Sequence, residues 1–243
     1  MVQTMYHQSR LLGTYPHVIH GYSTRMLGDM RRSENRASYV QMLGVSPHVL
    51  VTAEQVHGNV VKKAIRASKT PLSLADGIVL DISDNNSAGI ALGIVVADCA
   101  PLLFFDKKER SIGAAHAGWK GSYKSIATNV VDYMLSLGSN PDDIMVSIGP
   151  HIGMCCYSVP KDRVDMFFSM YGNDAHIASY IDGVWHMDIG YINWLQLRSK
   201  GIPAENIDVP PTCTSCQSDL FYSYRKDTKE AFGEIMGVIA YKF

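Results

Sequence analysis

The chain has 243 residues, with 22 Lys and Arg against 23 Asp and Glu and a formal net charge of −1. Proteins that bind nucleic-acid polymers by neutralising phosphates usually carry an excess of basic residues, so this balance argues against such a partner. Hydrophobic residues make up 47% and charged residues 19%, which is typical of a globular protein and excludes a disordered chain. No apolar run approaches the roughly 20 residues that a membrane span requires.

Apolar segments bounded by turn residues alternate along the chain with segments of helical period. This alternation predicts a mixed α/β fold, in a single domain over residues 1–243. Strands are predicted from β-branched content, and helices from N-cap and terminal glycine signals. In chain order these are a helix over Ser33–Leu43, strands over Val49–Thr52, Val56–Ile65, Gly77–Leu80, Ile90–Val96, Leu102–Phe105 and Ile112–Ala115, a helix over Ser122–Leu137, a strand over Ile144–Ile148, helices over Pro160–Tyr171 and Asp188–Lys200, and a strand over Ile235–Tyr241.

A predicted antiparallel hairpin brings a thiol and an imidazole together. If Phe105 faces Ile112 across the short charged connection, Pro101 faces His116, and Cys99 lies at the same open end as His116. A thiol and an imidazole placed in this way can bind one metal ion together or form a hydrogen bond with each other.

His57, which is followed by a glycine between two strand-like segments, is a third candidate ligand. One cysteine and two histidines suit zinc with one open position, as in catalytic sites. The separations along the chain match no zinc-finger pattern. A buried free cysteine with two locally bonded histidines is therefore an alternative that the residues alone leave open.

The cysteine count is five, an odd number, whereas disulfide-rich secreted domains use even counts in much shorter chains. No signal peptide pattern opens the sequence, and we expect a cytoplasmic protein with reduced thiols. Cys213 and Cys216 form a CxxC motif without a second pair, and Cys155 and Cys156 are adjacent. We interpret these four as ordinary thiols.

Three basic residues are candidates for binding an anionic substrate group. Arg25 and Arg36 offer planar guanidinium groups. Lys120 lies at a predicted helix start, where backbone N–H groups favour anions. Each is equally compatible with an ordinary surface charge.

Seven segments rich in glycine, histidine, cysteine and small residues follow one another along most of the chain. They are Gln55-Val56-His57-Gly58, Ala75-Asp76-Gly77, the segment 96–103 with Ala97-Asp98-Cys99, the segment 115–121 with Ala115-His116-Ala117-Gly118-Trp119, the segment 148–153, Cys155-Cys156-Tyr157 and the segment 221–227. This series closely resembles the laccase-domain family, whose members carry names such as polyphenol oxidase, purine nucleoside phosphorylase, adenosine deaminase and peptidoglycan editing factor.

The resemblance implies a mixed sheet flanked by helices, related to the cysteine-hydrolase-like toxin fold, and a zinc ion held by His57, Cys99 and His116. Copper is a second candidate for such a site. True laccase chemistry is excluded, because several coppers need many paired histidines, and this chain has nine histidines and no His-x-His pair.

The function that the resemblance implies is zinc-dependent phosphorolysis of adenosine, inosine or guanosine, with adenosine deamination as a further activity. The small-molecule partners would be a purine nucleoside and phosphate. No membrane partner is expected. His57, Cys99 and His116 would form the catalytic centre, with Asp98 as an acid–base or as the group that orients a ligand histidine. The phosphate and ribose contacts would come from Arg25, Arg36, Gln55 and Lys120.

Two other classes stay open. One is a cysteine hydrolase or peptidoglycan-precursor editing amidase with Cys99 as nucleophile and His116 as base; the other is a non-catalytic, metal-stabilised binding protein. The chain also departs from the family pattern. Ser158 stands where a glutamate is usual, Glu234 stands where an arginine is usual, and the segment after Arg25 lacks a double glycine. The change at Glu234 predicts a difference in substrate or rate.

Overall fold

The fold is known from a computed structural model that describes residues 4–65, 71–83, 87, 89–210 and 212–242. Its helices are α1 (Ser33–Met42), α2 (Trp119–Tyr123), α3 (Ile126–Ser136), α4 (Lys161–Tyr171) and α5 (Ile189–Ser199). Its strands are β1 (Tyr6–His7), β2 (Val18–Ser23), β3 (Leu50–Thr52), β4 (Val61–Lys63), β5 (Gly77–Asp81), β6 (Ala91–Val96), β7 (Ala100–Asp106), β8 (Ser111–Ala117), β9 (Ile144–Ile148), β10 (Ser158–Val159), β11 (Ala178–Ile181), β12 (Val184–Met187), β13 (Ile207–Asp208) and β14 (Ile235–Tyr241).

Two large mixed sheets form the centre of the molecule. The first has the order β1-β2-β14-β6-β3, and the second has the order β13-β9-β7-β8-β5-β4. The edge pair β3–β6 of the first sheet and the edge pair β4–β5 of the second sheet are parallel. Most of the other strand pairs in the two sheets are antiparallel. A small antiparallel sheet, β10-β12-β11, lies apart from them. The predicted mixed α/β fold is confirmed.

Strand β7 shows how the layers are held together. Successive side chains of a strand point to opposite faces. Leu103 and Phe105 belong to the core shared with the first sheet, whereas Leu102 and Phe104 belong to the core under α3 and α5. Because both faces are covered, β7 is apolar almost throughout rather than alternating with polar residues. Helix α1 packs on the outer face of the first sheet.

The predicted hairpin is confirmed, including its register. Phe105 pairs with Ile112 and Pro101 with His116 in the β7–β8 ladder. Outside two regions, the predicted helices and strands are also found, with bounds within two residues of those expected. The described residues contain no helix of sufficient length and apolarity to cross a membrane.

The prediction of one strand over Val56–Ile65 is wrong for its first half, since only Val61–Lys63 pairs in a sheet. In the preceding loop, the backbone N–H groups bind a carboxylate, that of Asp76, instead of a neighbouring strand. His57 takes a left-handed conformation there, with φ of 57°.

The single helix predicted over Ser122–Leu137 is also wrong, because the structure has two helices, α2 and α3. The break lies at Ser125, whose φ is 65°. A left-handed residue cannot continue a right-handed helix.

Candidate active site

The three predicted ligands lie together at the open end of the β7–β8 hairpin. Cys99 directly precedes β7, His116 lies near the end of β8, and His57 lies on the loop before β4. Their ligand atoms are within 4.8 Å of one another. The two imidazole rings are nearly perpendicular, with centroids 4.7 Å apart. His116 is buried, Cys99 is half-buried and His57 is exposed, so the cluster opens to solvent on the His57 side.

A single buried carboxylate, that of Asp76 directly before β5, orients two of these ligands. It accepts a hydrogen bond from Nδ1 of His116 at 2.8 Å. It also accepts the backbone N–H groups of His57 at 2.9 Å and of Gly58 at 2.7 Å. With Nδ1 engaged, the other ring nitrogen of His116 faces the cluster, which is the arrangement by which carboxylates orient metal-bound histidines.

The charges within the cluster support one another. Burial raises the pKa of Asp76, but hydrogen bonds from His116 and the backbone outweigh this and hold the pKa below its usual range. Burial also raises the pKa of Cys99, yet the neighbouring His116 and His57 bring it down to about 7. Conversely, Cys99 and Asp76 raise the pKa of His116 against the effect of burial. A thiol with a lowered pKa is suited to metal binding or to nucleophilic chemistry.

The residues fit a zinc ion. Two imidazoles and one thiolate are ligands that zinc uses in sites with one open position. Gly118 borders the space between them, because a Cβ there would lie 2.9 Å from Sγ of Cys99, 3.3 Å from Cδ2 of His57 and 3.6 Å from Nε2 of His116. Only a residue without a side chain leaves that space open for an ion.

The cluster lies in a cavity of about 740 Å³, within the size range of small-molecule sites. Its wall combines aromatic rings with cations. Arg163 stacks over the ring of Trp119 at 4.1 Å, and Arg225 lies over the ring of Tyr157 at 5.0 Å. Other lining residues include Gln55, Asp98, Lys120, Tyr224, Phe232 and Glu234.

Two predicted anion-binding residues are not part of this cavity. Arg25 donates to both carboxylate oxygens of Asp227 at 2.7 Å and stacks on Tyr222. Arg36 donates to the backbone carbonyl of Met30 at 3.0 Å. Both guanidinium groups bind other residues of the chain, so the structure does not bring these two predicted residues to the cavity. The cations that line the cavity are Lys120, Arg163 and Arg225.

Gln55 and Asp98 line the cavity, but their polar groups are engaged elsewhere. The Gln55 amide donates to and accepts from the backbone of Val95 in β6. The Asp98 carboxylate accepts the hydroxyl of Thr214 at 2.6 Å and the backbone N–H of Arg225 at 2.8 Å. The expectation that Asp98 orients a ligand histidine is wrong, because Asp76 does so.

Sequence reasoning missed Asp76, Arg163 and Arg225 as members of the site. Asp76 carried a signal, since it is the acidic residue inside the short Ala75-Asp76-Gly77 motif. Arg163 lies on α4, in an ordinary helical sequence without a signal. Glu234, which departs from the family pattern, lies on the cavity wall.

The four remaining cysteines are not independent thiols. Their ligand atoms also lie within 4.8 Å of one another, in a second cluster. The fold brings the CxxC motif next to the adjacent pair, which the sequence did not indicate, and all four cysteines are free thiols. The cluster consists of Cys155, Cys156, Cys213 and Cys216.

A family model described as multi-copper polyphenol oxidoreductase laccase matches residues 27–242. The chain belongs to this family. Among its relatives, purine nucleoside phosphorylase YlmD of Bacillus subtilis is 32% identical over 219 residues, which are 86% of this chain and 77% of the relative. Adenosine deaminase RL5, from an unknown prokaryotic organism, is 29% identical over 81% of this chain and 77% of its own.

Solved structures of the family have the same fold. A crystal structure of the hypothetical protein YfiH of Bacillus licheniformis has a TM-score of 0.83 and 30% identity, and covers 93% of both chains. YlmD of Geobacillus stearothermophilus has a TM-score of 0.85 and 26% identity, and covers 98% of this chain and 99% of its own.

Proposed function

We propose that this chain is a zinc-dependent purine nucleoside enzyme that carries out phosphorolysis of adenosine, inosine or guanosine, with adenosine deamination as a second reaction of the same site. The observation that carries the proposal is the His57–Cys99–His116 cluster opening into a cavity with aromatic and cationic walls. The family relatives named for nucleoside phosphorolysis and adenosine deamination support the class of substrate.

Zinc bound by His57, Cys99 and His116 would supply a Lewis acid with one open coordination position. Asp76 keeps the proton of His116 on Nδ1 and holds the loop of His57 against the cluster. The three ligands thus need little rearrangement to bind.

The cationic wall suits the phosphate. Within the part of the chain that the structure describes, Lys120, Arg163 and Arg225 have no carboxylate partner in an ion pair. Guanidinium groups bind phosphate oxygens through paired, charge-assisted hydrogen bonds. In phosphorolysis a phosphate oxygen bonds to C1′ of the ribose while the bond from C1′ to the base breaks. Positioning that oxygen is the role that we assign to these cations.

The aromatic wall suits the purine. Tyr224 and Phe232 pack edge to face at 5.7 Å, and Trp119 contributes a further ring. Flat aromatic surfaces favour stacked or edge-to-face contact with a flat base.

Glu234 is the acid–base candidate that we propose in place of Asp98. Both oxygens of Asp98 accept hydrogen bonds, whereas the Glu234 carboxyl has no such partner among the described residues. Burial raises the pKa of Glu234, which favours a carboxyl that holds a proton closer to neutral pH.

The test is metal analysis of the purified protein together with turnover of adenosine and inosine, with and without phosphate. We expect zinc, purine release that requires phosphate, and loss of both zinc at this site and turnover in Cys99→Ala. Full turnover by zinc-free protein would overturn the proposal, and so would release of purine that does not require phosphate.

A cysteine hydrolase is a second candidate, because Cys99, His116 and Asp76 also have the order of a nucleophile, a base and an orienting carboxylate. A thiolate committed to zinc is a poor free nucleophile. Site-resolved alkylation of Cys99 in zinc-loaded protein separates the two: slow modification supports the nucleoside enzyme, and rapid modification with loss of amidase activity supports the hydrolase.

A further inference from the structure

The second cysteine cluster joins two distant segments of the chain beside the cavity. Cys155 and Cys156 lie between β9 and β10, and Cys213 and Cys216 lie between β13 and β14. Sγ of Cys216 is 3.5 Å from that of Cys155 and 3.4 Å from that of Cys156. All four sulfur atoms are within 4.8 Å of one another.

We propose that Cys155, Cys156, Cys213 and Cys216 bind a structural zinc ion, a site separate from the proposed nucleoside centre. Zinc holds four cysteine sulfurs tetrahedrally at about 2.3 Å, which puts the sulfurs roughly 3.8 Å from one another. Two separations in this cluster are 3.4 and 3.5 Å, and the others are within 4.8 Å, so the sulfurs bracket that value closely enough to close around one ion. Four protein ligands leave no position open for substrate, which is the arrangement of structural rather than catalytic zinc.

The geometry favours a shared ion over disulfide bonds. Sγ of Cys216 is almost equally distant from those of Cys155 and Cys156, so no single partner is preferred. These separations also far exceed the roughly 2.05 Å of an S–S bond. In addition, the backbone N–H of Gly153 donates to Sγ of Cys213 at 3.3 Å. Hydrogen bonds of this kind stabilise a thiolate ligand.

The cysteine cluster is connected to the cavity through neighbouring residues. Thr214, inside the CxxC motif, donates its backbone N–H to the carbonyl of His151 and its hydroxyl to the Asp98 carboxylate. Asp98 is the residue before Cys99, and Tyr157, which lines the cavity, directly follows Cys156. An ion at the cysteine cluster would therefore fix two cavity walls to each other and to the segment that carries Cys99.

Zinc stoichiometry tests the proposal without reference to turnover. Protein purified under reducing conditions should contain two zinc ions per chain. The double variant Cys213→Ser/Cys216→Ser and the single variant Cys99→Ser should each contain one, lost from different sites. Ser215→Ala, which changes one of the two residues between the motif cysteines, is the matched control and should retain both zinc ions. A wild-type content of one ion that disappears in Cys99→Ser would overturn the proposal.

Cobalt substitution identifies the ligands. A site with four thiolates gives intense sulfur-to-cobalt charge-transfer absorption, which should persist in Cys99→Ser. In the double variant it should fall to the much weaker absorption of a single thiolate, that of Cys99. If the double variant does not fold, stepwise thiol modification of wild-type protein gives the same information, because four modified sulfurs should release one zinc ion. Disulfides among these cysteines in reduced, metal-supplemented protein, or bound iron with sulfide in place of zinc, would contradict the proposal.

Discussion

At the scale of single residues, Asp76 holds two of the three candidate ligands, because one carboxylate accepts hydrogen bonds from both His116 and the loop of His57. Asp76→Asn keeps the size of the side chain but removes the negative charge and one acceptor. Loss of such an orienting partner weakens metal affinity roughly 10–100-fold. We expect a decrease of that size in zinc affinity, measured by competition with a chelator.

The control for this prediction is Asp81→Asn, at the far end of the same strand, where the carboxylate pairs with Lys63 at the surface. Zinc affinity should be unchanged in this variant. Equal zinc affinity in Asp76→Asn and the wild type would contradict the role assigned to Asp76.

Gly118 tests the space for the ion directly. In Gly118→Ala, the new Cβ would lie 2.9 Å from Sγ of Cys99, so the sulfur must shift from its place in the cluster. We expect about a tenfold or larger loss of zinc affinity, comparable to loss of an orienting partner, with the fold retained by circular dichroism. Gly13→Ala is the control, because its nearest neighbouring atom would be 3.9 Å from the new Cβ. Normal zinc binding by Gly118→Ala would show that the ion does not occupy this space.

Kinetic measurements distinguish an arginine of the cationic wall from an arginine outside the cavity. A hydrogen bond to a charged group contributes about 1.5–3 kcal/mol, so Arg225→Ala should raise KM for phosphate by roughly 10–150-fold. The control is Arg36→Ala, since Arg36 binds backbone carbonyls outside the cavity and should not affect that KM. The opposite ranking would restore the prediction made for Arg36 from the sequence.

At the scale of elements, the sequence predicts the structure wherever a local pattern determines the strand or its register. The register of β7 and β8 follows from a short connection between two apolar runs, so the meeting of Cys99 and His116 could be predicted. The loop of His57 could not be, because its backbone binds Asp76, which is distant in sequence. The break at Ser125 also has no local glycine or proline signal.

The same distinction explains the errors in the site. Arg25 and Arg36 are ordinary arginines in sequence. Only the fold shows that Arg25 donates to the Asp227 carboxylate and that Arg36 donates to the carbonyl of Met30. The cysteine cluster was missed because its two halves are far apart along the chain. Spacing rules for zinc sites recognise both pairs only when they are near each other in sequence.

The contact between the two large sheets includes a buried polar link. The Tyr22 hydroxyl in β2 donates to Oγ of Ser147 in β9 at 2.8 Å, across the core. Tyr22→Phe leaves Ser147 without this partner, and we expect a loss of about 1 kcal/mol in the free energy of unfolding, measured by urea denaturation. The double variant with Ser147→Ala should lose less than the sum of the two single variants. Strict additivity would mean that the two groups are not coupled.

At the scale of the whole molecule, the site depends on residues from most of the chain. The loop of His57 illustrates this, because Gln55 anchors it to β6 of the first sheet, while Asp76 anchors it to β5 of the second. The cavity therefore forms where the ends of the two sheets meet, and its walls are completed by segments from α4 to β14. Binding at this place should stabilise the assembly of both sheets, not only the local loops.

Metal removal and ligand addition test that coupling. A ligand at 100 times its Kd stabilises the folded state by about 2.7 kcal/mol, which corresponds to roughly 5–10 °C in Tm for a chain of this size. We expect chelation to lower Tm by at least this amount and zinc to restore it. Inosine with phosphate should raise Tm further in wild-type protein but not in His57→Ala, which lacks one ligand of the nucleoside site. Zinc-dependent stability without any nucleoside-dependent shift would instead identify a metal-stabilised binding protein, because stabilisation by a ligand requires that the folded protein bind it.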